Sequence, residues 1–374
     1  MYSVLSYGQM AADGARIDAY ARAIAKTVRP GDVVVDLGCG PGIMSLLALR
    51  AGAKRVHAIE LDPVVWLARD LAVENGFGDR FEVHHASSFD VSLSELADVA
   101  VADMRGSCPL FQQNLAAMED AKKRLLRAGG TLIPANDRLF VALVDVETVR
   151  RDIELGFTSL ERRGFTASAA RAATLNCTYT DADNPLLASQ QISDAKPWGE
   201  VRYGEPFARS YSATVDLTMT RGGTAHALAV WFDATLADGI GFSNSPGHRM
   251  VYKRTVLPLL DAVTVAAGDT ARVTLRTDAR GDQWAWDTEI GGHPRTRQAT
   301  FLGLQTSQEA LLREALGATP ERSLVGDRAA RVLAMMDGTH TVNELAEAIS
   351  SADPTLRKES VLDEVKGCVR RYGR

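Results

Sequence analysis

The chain has 374 residues, of which 46% are hydrophobic and 24% are charged, and its formal net charge at pH 7 is −5. This length exceeds that of one small domain and predicts two or three domains. Because the charge is mildly negative, the chain has no overall basic field, so we expect no nucleic-acid partner.

The cysteines and the N-terminus predict the compartment. The four cysteines lie far apart and form no Cys-x-x-Cys pair, which argues against a disulfide framework or a zinc site. The N-terminus has neither the charged region nor the long apolar region of a signal peptide. No segment approaches the roughly 18 apolar residues of a membrane span. We therefore expect a cytoplasmic protein with no metal site and no membrane partner.

The first 134 residues show an alternation of strands and helices. Residues 1–31 predict a lead-in and a helix, and short apolar runs then alternate with helical segments. This alternation predicts a parallel sheet with helices on both faces. The predicted strands are Val33–Leu37, Arg55–Glu60, Phe81–His85, Val99–Ala102 and Thr131–Ile133, and the predicted helices are Ile43–Ala51, Pro63–Asn75 and Gln112–Leu126.

The pattern changes twice further along the chain. After Pro134, β-rich runs separated by glycine and polar turns predict an antiparallel barrel or sandwich, with residues 151–200 less regular. From residue 305 the chain becomes helical and charged, and Thr341 to Glu344 matches a capping box that opens a helix. We therefore expect three domains, covering residues 1–134, 135–300 and 305–374.

The stretch from Val33 to Gly42 is the first half of a nucleotide-binding unit. A short apolar strand ends in Asp36-Leu-Gly-Cys-Gly-Pro-Gly42, and a helix follows. A dinucleotide fingerprint requires glycine at the position of Ile43, and an acid before the loop would repel a pyrophosphate. Glu60 ends the next strand, where a carboxylate can accept hydrogen bonds from both ribose hydroxyls. A sulfonium, an amino group and a ribose suit this loop better than two phosphates; a glycine-rich turn for another ligand is the alternative.

These motifs resemble those of class I S-adenosylmethionine-dependent methyltransferases. Asp36 to Gly42 is similar to the first motif of that family, and Glu60-Leu-Asp62 to its ribose-binding acidic loop. The resemblance implies a Rossmann-like α/β domain with S-adenosyl-L-methionine as the cofactor. It assigns the following residues of the first domain to the cofactor site: Met10, Arg16, Asp36, Gly38, Gly40, Gly42, Glu60, Leu61, Ser88 and Phe89.

A narrower resemblance covers residues 2–300. Met10, Asp13 and Arg16 have the spacing of the N-terminal helix of the protein arginine methyltransferases, and His226 to Asp233 also resembles that family. The resemblance implies that Arg16 clamps the methionine carboxylate, that Met10 lies near the sulfonium and that a β-barrel follows the Rossmann-like domain. It also implies a homodimer formed through an arm, for which residues 166–184 occupy the corresponding place.

The loop after the fourth strand departs from that family. Its two glutamates, which hold the guanidinium, correspond to Asp103 and to the neutral Gln112. Its Thr-His-Trp loop corresponds to Met250-Val251-Tyr252, so the histidine is missing, and His248 is a candidate replacement as the partner of Asp13. One carboxylate and one amide could orient an amine, and Tyr252 could stack on a cation. We therefore expect Asp103, Gln112 and Tyr252 to act in N-methylation of an amine.

The last domain bears on the substrate. Residues 324–344, with the helix that follows Val361, resemble the PqqD-type winged-helix module that grips leader peptides in ribosomal-peptide pathways. The resemblance implies a precursor peptide as the substrate and methylation as a tailoring step, for example at a modified terminus as in daptide-type pathways. Another protein-binding winged helix is the alternative for this module.

Three hypotheses for the function follow. The first is N-methylation of a peptide amine, and the second is N-methylation of protein arginine. The third is a catalytically silent cofactor-binding scaffold that recruits partners. The glycine-rich loop, Arg16, Asp36 and Glu60 are all intact, which argues against the third hypothesis.

Overall fold

A computed structural model describes residues 3–304, 308–313, 315, 317–353 and 355–373. The chain divides between residues 304 and 305 into two compact units. The start of the predicted third domain, residues 305–307, lies outside the described residues. Among the residues described, no helix has the length and apolar character needed to cross a membrane.

A parallel sheet opens the first unit, and its strand order is β3-β2-β1-β4-β5. The strands are β1 (Val33–Leu37), β2 (Arg55–Glu60), β3 (Phe81–His85), β4 (Ala97–Ala102) and β5 (Leu126–Ile133). The helices are α1 (Val4–Ala11), α2 (Gly14–Thr27), α3 (Ile43–Arg50), α4 (Val65–Glu74) and α5 (Asn114–Arg124). Strand β1 is buried at every position because helices cover both faces of the sheet. This part confirms the predicted Rossmann-like α/β fold.

Two antiparallel sheets complete the first unit. Strands β6 (Asn136–Val144), β7 (Tyr179–Thr180), β8 (Lys196–Arg202), β10 (Gly223–Ala237), β11 (Ile240–Ser243) and β12 (Thr255–Val265) form one sheet. Strands β9 (Ser210–Thr218), β13 (Thr270–Asp278), β14 (Trp284–Ile290) and β15 (Thr296–Ala299) form the other. The strand pairings of the described residues do not join the two sheets into one continuous ladder. The predicted antiparallel sheets are present, and closure into a barrel stays a prediction.

One hydrophobic core extends from α2 and the parallel sheet into both antiparallel sheets. Tyr20 and Trp286, which lie near opposite ends of the sequence of this unit, are both fully buried in this core. The predicted boundary at residue 134 therefore does not separate two cores, and it stays a prediction about domain organisation.

The segment that the sequence left irregular contains two helices, α6 (Glu147–Glu161) and α7 (Ser168–Leu175). Apolar residues recur along α6 at helical spacing, a signal that the sequence interpretation missed. The predicted arm, residues 166–184, includes α7, whose last residue Leu175 is buried, and Asp181, which is buried in an ion pair with Arg254. This segment is therefore anchored to the antiparallel sheet at its C-terminal end.

The second unit is helical, with α8 (Gln308–Arg313), α9 (Leu324–Met335), α10 (Val342–Ala352) and α11 (Lys358–Tyr372). Thr341 caps α10 and forms the predicted capping box with Glu344. Val332, Ile349 and Val365, one from each of the last three helices, are buried together in a small core. No strand occurs among the described residues of this unit, so the predicted winged-helix fold stays a prediction.

Candidate active site

The glycine loop follows β1 and leads into α3. Gly38, Gly40 and Gly42 all have positive φ, at +64°, +52° and +81°. A Cβ atom at Gly38 would lie 2.9 Å from Cγ of Met104, and one at Gly42 would lie 2.8 Å from Cβ of Ala68. Other residues would be strained in this backbone and would also collide with their neighbours, so the loop requires glycine at these positions.

Asp36 lies at the end of β1 and is buried. Its Oδ2 accepts a hydrogen bond of 2.6 Å from the Ser45 hydroxyl in α3. Burial raises the pKa of Asp36 to about 7, although the hydrogen bonds from Ser45 oppose the increase. This carboxyl group is therefore directed toward the first turn of α3, and it is partly protonated at neutral pH.

Glu60 is held at the carboxyl end of β2 by backbone N–H groups. Its Oε2 accepts a hydrogen bond of 2.9 Å from Gly40, and its Oε1 accepts one of 2.9 Å from Asp62. These bonds fix the carboxylate beside the glycine loop, with its remaining lone pairs free to accept ribose hydroxyls. The structure therefore brings Glu60 and the glycine loop together, as the sequence predicts.

The other predicted cofactor residues at this edge lie on the loops after β2 and β3. Leu61 and Phe89 are large apolar side chains that are 71% and 42% exposed. His85 ring Nε2 lies 3.1 Å from the Leu61 carbonyl oxygen, which ties the two loops together. Ser88 is half-buried, and its carbonyl accepts a hydrogen bond of 2.7 Å from Arg124. Exposed apolar walls of this kind suit a flat aromatic base.

The candidate site has two parts. The cofactor side is the glycine loop with Asp36 and Glu60, and the acceptor side is the group of residues around Asp103. Arg16 of α2 contacts Asp103 and is also predicted to bind the cofactor. Its guanidinium donates to the Met10 carbonyl and to Asp103 Oδ2, and its Nε lies 3.8 Å from Asp13. The same Nε is buried without a hydrogen-bond partner in the part of the chain that the structure describes. An orphaned buried donor is costly, and a ligand carboxylate would satisfy it.

Asp13 lies next to Arg16 and contacts the loop before Tyr252. Its carboxylate accepts a hydrogen bond of 2.7 Å from the Val251 backbone, in the loop that carries Tyr252. His248 pairs instead with the Ser245 hydroxyl at 3.0 Å. The suggestion that His248 replaces the missing histidine is therefore wrong, because a backbone N–H takes that role.

Asp103 directly follows β4, at the start of the next loop, and is the centre of a buried polar cluster. Besides Arg16, it contacts the hydroxyl of Tyr252, the hydroxyl of Tyr20 at 3.1 Å and Nη1 of Arg105 at 3.1 Å. Burial raises the pKa of Tyr20 and of Tyr252 well above the usual value, and the charge of Asp103 adds to both increases. Both phenols therefore stay protonated and act as donors to the carboxylate.

Arg105 is a site residue that the sequence interpretation missed. Its side chain is buried, and it forms a bidentate ion pair with Asp137 of β6 at 2.9 and 3.0 Å. The guanidinium also lies 5.6 Å from the ring centres of Phe232 and Phe242. Burial opposes its charge most strongly of any single effect, but Asp137, Tyr20 and Tyr203 together outweigh burial and raise the pKa of Arg105 well above its usual value. A second permanent cation therefore stands beside Asp103.

Two further residues were predicted to be catalytic. Tyr252 is buried in the cluster, and its ring stacks on Phe242 with centroids 6.0 Å apart. Gln112 is exposed, has a φ of +47°, and uses its backbone N–H to bond the Arg280 carbonyl. The hydrogen bonds of the described residues do not link Gln112 to Asp103. The structure therefore unites Asp103 with Tyr252 and leaves Gln112 apart.

The donor set fits the predicted cofactor. The backbone of the glycine loop permits close approach, Glu60 offers acceptors for hydroxyl groups, and Arg16 offers a buried donor for a carboxylate. These residues would hold S-adenosyl-L-methionine, which supplies a methyl group on a positively charged sulfur. Asp103 and Tyr252, which the sequence predicts at the acceptor, contact each other, and Asp103 also contacts Arg16.

Comparison with known protein families and curated proteins places this site among methyltransferases. Residues 20–134 match the family model described as ribosomal protein L11 methyltransferase (PrmA). Probable protein arginine N-methyltransferase 6 of Arabidopsis thaliana is 35% identical over 36% of this chain and 31% of its own length. Protein arginine N-methyltransferase 6 of Danio rerio is 27% identical over 70% of this chain and 78% of its own length.

The extent of these matches varies. The chain spans 31% of the length of the first Arabidopsis relative and 63% of that of Arabidopsis protein arginine N-methyltransferase 1.1. The similarity is concentrated in the part of the chain that carries the parallel sheet, since the family model ends at residue 134.

Solved structures share the fold. Protein arginine methyltransferase 10 of Arabidopsis thaliana superposes with a TM-score of 0.70 and 19% identity, over 80% of this chain and 98% of its own. A chain of the Trypanosoma brucei PRMT1 enzyme–prozyme heterotetrameric complex with AdoHcy gives a TM-score of 0.68 and 20% identity, over 78% and 97%. The common fold thus covers both the parallel sheet and the antiparallel sheets.

Proposed function

We propose that this chain, an S-adenosylmethionine-dependent methyltransferase of the class I fold, is a protein N-methyltransferase whose acceptor is an arginine guanidinium. The observation that carries the proposal is the similarity to Danio rerio protein arginine N-methyltransferase 6, which extends over 70% of the chain. The sequence alone favours a peptide amine, and the comparisons favour the arginine acceptor that it ranks second.

The residues of the chain divide the work of methyl transfer. Glu60, Arg16 and the glycine loop bind and orient the cofactor, which supplies an electrophilic methyl group. Asp103 and Tyr252 lie where an acceptor nitrogen must arrive, and Asp103 can accept an N–H bond that directs the nitrogen lone pair. The catalytic contribution is mainly proximity and orientation, since in-line displacement needs no covalent enzyme intermediate.

A cavity beside the cluster provides the approach for a protein substrate. It has a volume of 720 Å³, and it lies between α2, β11 and the segment after β11. Asp18, Arg22, Phe242 and His248 are among its lining residues. Phe242 also stacks on Tyr252, so the wall of the cavity is continuous with the acceptor side of the site.

A second candidate acceptor is an uncharged amine of a peptide. Arg16 and Arg105 both contact Asp103, which leaves less negative charge to attract a guanidinium. Gln112, the residue in place of a second glutamate, is neutral and exposed. A primary or secondary amine that reaches the site deprotonated needs only one acceptor oxygen and carries no charge to be repelled.

The second unit bears on this candidate. Helices α9 and α11 border a cleft of 320 Å³ whose apolar floor includes Val325, Ala329 and Val361. The Arg328–Glu364 ion pair lies along its side, with 2.9 Å between the charged atoms. The proposed role of this cleft is recognition of a peptide substrate, in line with the resemblance to PqqD-type modules.

We further propose that the chain forms a homodimer through α6 and the turn after it. Leu155, Leu160 and Phe165 are 54%, 42% and 65% exposed, which is a large apolar exposure for one helix and its turn. Light scattering should give twice the chain mass, and Phe165→Asp should shift the protein to the monomer. A monomeric wild type would contradict this proposal.

The acceptor is tested by intact-mass analysis. The full chain is incubated with S-adenosylmethionine and two otherwise identical peptides, one that contains arginine and one that carries a free primary amine with no arginine. We expect methylation of the arginine peptide, in increments of one methyl mass. Methylation confined to the amine peptide would overturn the arginine proposal and support the second candidate.

The cofactor is tested by calorimetry. Wild type should bind S-adenosylmethionine at one site per chain, and Glu60→Gln should weaken binding about 10- to 100-fold through the loss of charged acceptors for the ribose. Glu74→Gln, on the exposed end of α4, is the matched control. Absence of binding by wild type would remove both methyltransferase candidates together.

A further inference from the structure

A cluster of three metal-ligating side chains lies outside the candidate active site. His57 belongs to β2, and Glu82 and His84 belong to β3, which is the edge strand of the parallel sheet. His57 is directly opposite Glu82 in the parallel register, and His84 comes two residues later on the same face. The pairing of the two strands therefore brings His57 to Glu82 and His84, which lie 25 and 27 residues later in the chain.

The distances between the donor atoms match those around a single small ion. His57 Nδ1 lies 3.1 Å from His84 Nε2, and the Glu82 carboxylate oxygens lie 3.5 Å from the first nitrogen and 3.6 Å from the second. Ligands at 2.0–2.1 Å from a tetrahedral zinc ion are separated by about 3.4 Å. The three side chains thus already have the spacing of a zinc site, with little rearrangement needed.

Burial and access also suit an ion. His57 is completely buried, whereas the side chains of His84 and Glu82 are 17% and 39% exposed. The His57 Nε2 atom has no hydrogen-bond partner among the described residues, so Nδ1 makes the polar contact of this buried ring. The exposed side of the cluster offers the fourth coordination position to water.

One cation already contacts the cluster. Arg55 Nη1 donates to Glu82 Oε2 at 3.0 Å. A carboxylate has two oxygens, and Oε1 faces His84 rather than Arg55. The alternative is that no ion binds here. In that case Arg55, Glu82 and the two histidines satisfy one another through their hydrogen bonds and ion pairs.

We propose that His57, Glu82 and His84 bind one divalent transition-metal ion of the zinc class, with water as the fourth ligand. The ion links the edge strand β3 to β2. The sequence predicts no metal site because its cysteines show no ligand spacing, and a histidine–carboxylate set assembled by strand pairing leaves no such signal. This proposal is independent of the acceptor, since none of the three residues lies in the cluster around Asp103.

The test is a titration of the full chain, without an affinity tag, with zinc chloride and separately with cobalt chloride. Wild type should bind one zinc ion per chain after dialysis, measured by elemental analysis, and cobalt should give the visible absorption band of a four-coordinate site. Glu82→Gln and His84→Asn should each weaken binding at least about tenfold. His85→Asn is the matched control, because His85 is adjacent on β3 but faces Trp66 and α4.

Each outcome decides the proposal. Loss of affinity in His84→Asn with retention in His85→Asn supports it, provided that both variants unfold cooperatively at similar temperatures. Absence of saturable zinc binding by wild type, or an equal loss in His85→Asn, would overturn it and leave the hydrogen-bonded network as the whole role of the cluster. Should His84→Asn fold poorly, the cobalt spectrum of wild type decides alone: a weak six-coordinate band would contradict the proposed geometry.

Discussion

The cofactor side and the acceptor side of the candidate active site are held together in different ways. On the cofactor side, backbone N–H groups of Gly40 and Asp62 fix Glu60, and Ser45 fixes Asp36, all within 20 residues along the chain. On the acceptor side, Asp103 is fixed by side chains that lie up to 149 residues away. The first arrangement is therefore local and backbone-based, and the second is long-range and charge-based.

This difference has an energetic consequence. Backbone donors remain in place when one side chain is replaced, so substitutions on the cofactor side should alter binding more than folding. Charged groups of the acceptor side are buried and depend on one another, and removal of one leaves its partner without compensation. Substitutions there should combine loss of activity with loss of stability.

The largest expected effect is that of Arg105→Met. Asp137 is completely buried and would lose its bidentate partner, so the free energy of unfolding should fall by about 3–5 kcal/mol. Chemical denaturation monitored by circular dichroism measures this change. The control is Arg272→Met, which removes an exposed ion pair with Asp216 and should have a much smaller effect, because solvent screens that pair. If Arg105→Met and Arg272→Met lowered the free energy of unfolding equally, the proposed difference between the buried and the exposed ion pair would be wrong.

The next effect is that of Asp103→Asn on turnover. The neutral amide still fills the space but accepts N–H bonds less strongly, so kcat should fall on the order of 100-fold. Cofactor affinity should change much less, because Glu60 and the glycine loop lie on the other side. Single-turnover rates and calorimetry on the same variant separate the two quantities. A parallel loss of both would show that Asp103 serves cofactor binding instead.

A pH series tests the cofactor side. The pKa of Asp36 is about 7 in the folded chain and 3.8 in the reference state, so between these values the unfolded chain releases a proton that the folded chain retains. Stability from this group therefore falls as pH rises from about 4 to 7 and is constant above that window. Asp36→Asn should gain about 2 kcal/mol relative to wild type between pH 5 and 7. If the free energies of unfolding of wild type and Asp36→Asn changed in parallel with pH, this result would contradict the effect of burial on the pKa of Asp36.

The smallest expected effect is that of Gln112→Ala. Because the side chain is exposed and makes no hydrogen bond to Asp103 within the described residues, kcat and KM should each change less than about twofold. Steady-state kinetics with the peptide that serves as the methyl acceptor measures both kcat and KM. A loss comparable to that of Asp103→Asn would mean that Gln112 moves into the site with substrate, and it would extend the acceptor side to the end of this loop.

Much of the fold was predictable because its signals are local. The alternation of apolar runs and helices predicts β1 to β5, and the β-rich runs after Pro134 predict the antiparallel sheets. The helix α6 was missed, although apolar residues recur along it at helical spacing. Closure of the antiparallel sheets could not be judged from strand patterns, since it depends on pairings between distant strands.

The site divides in the same way. The glycine loop and Glu60 were predictable because each is a short motif that follows a strand. Arg105 was not, although it stands two residues after Asp103, because its role depends on Asp137 in another sheet and on the aromatic pair Phe232 and Phe242. The metal-ligating cluster was missed for the same reason, since only strand register brings His57 to His84.

The span between Tyr252 and Asp103 also determines when the molecule becomes complete during synthesis. A nascent chain that has left the ribosome through residue 90 or so contains the cofactor side, with β1, β2 and β3. The acceptor side cannot close until Tyr252 has emerged, 149 residues after Asp103. A chain that has emerged only as far as the parallel sheet therefore contains Asp103 but not yet Tyr252, and its acceptor side is incomplete.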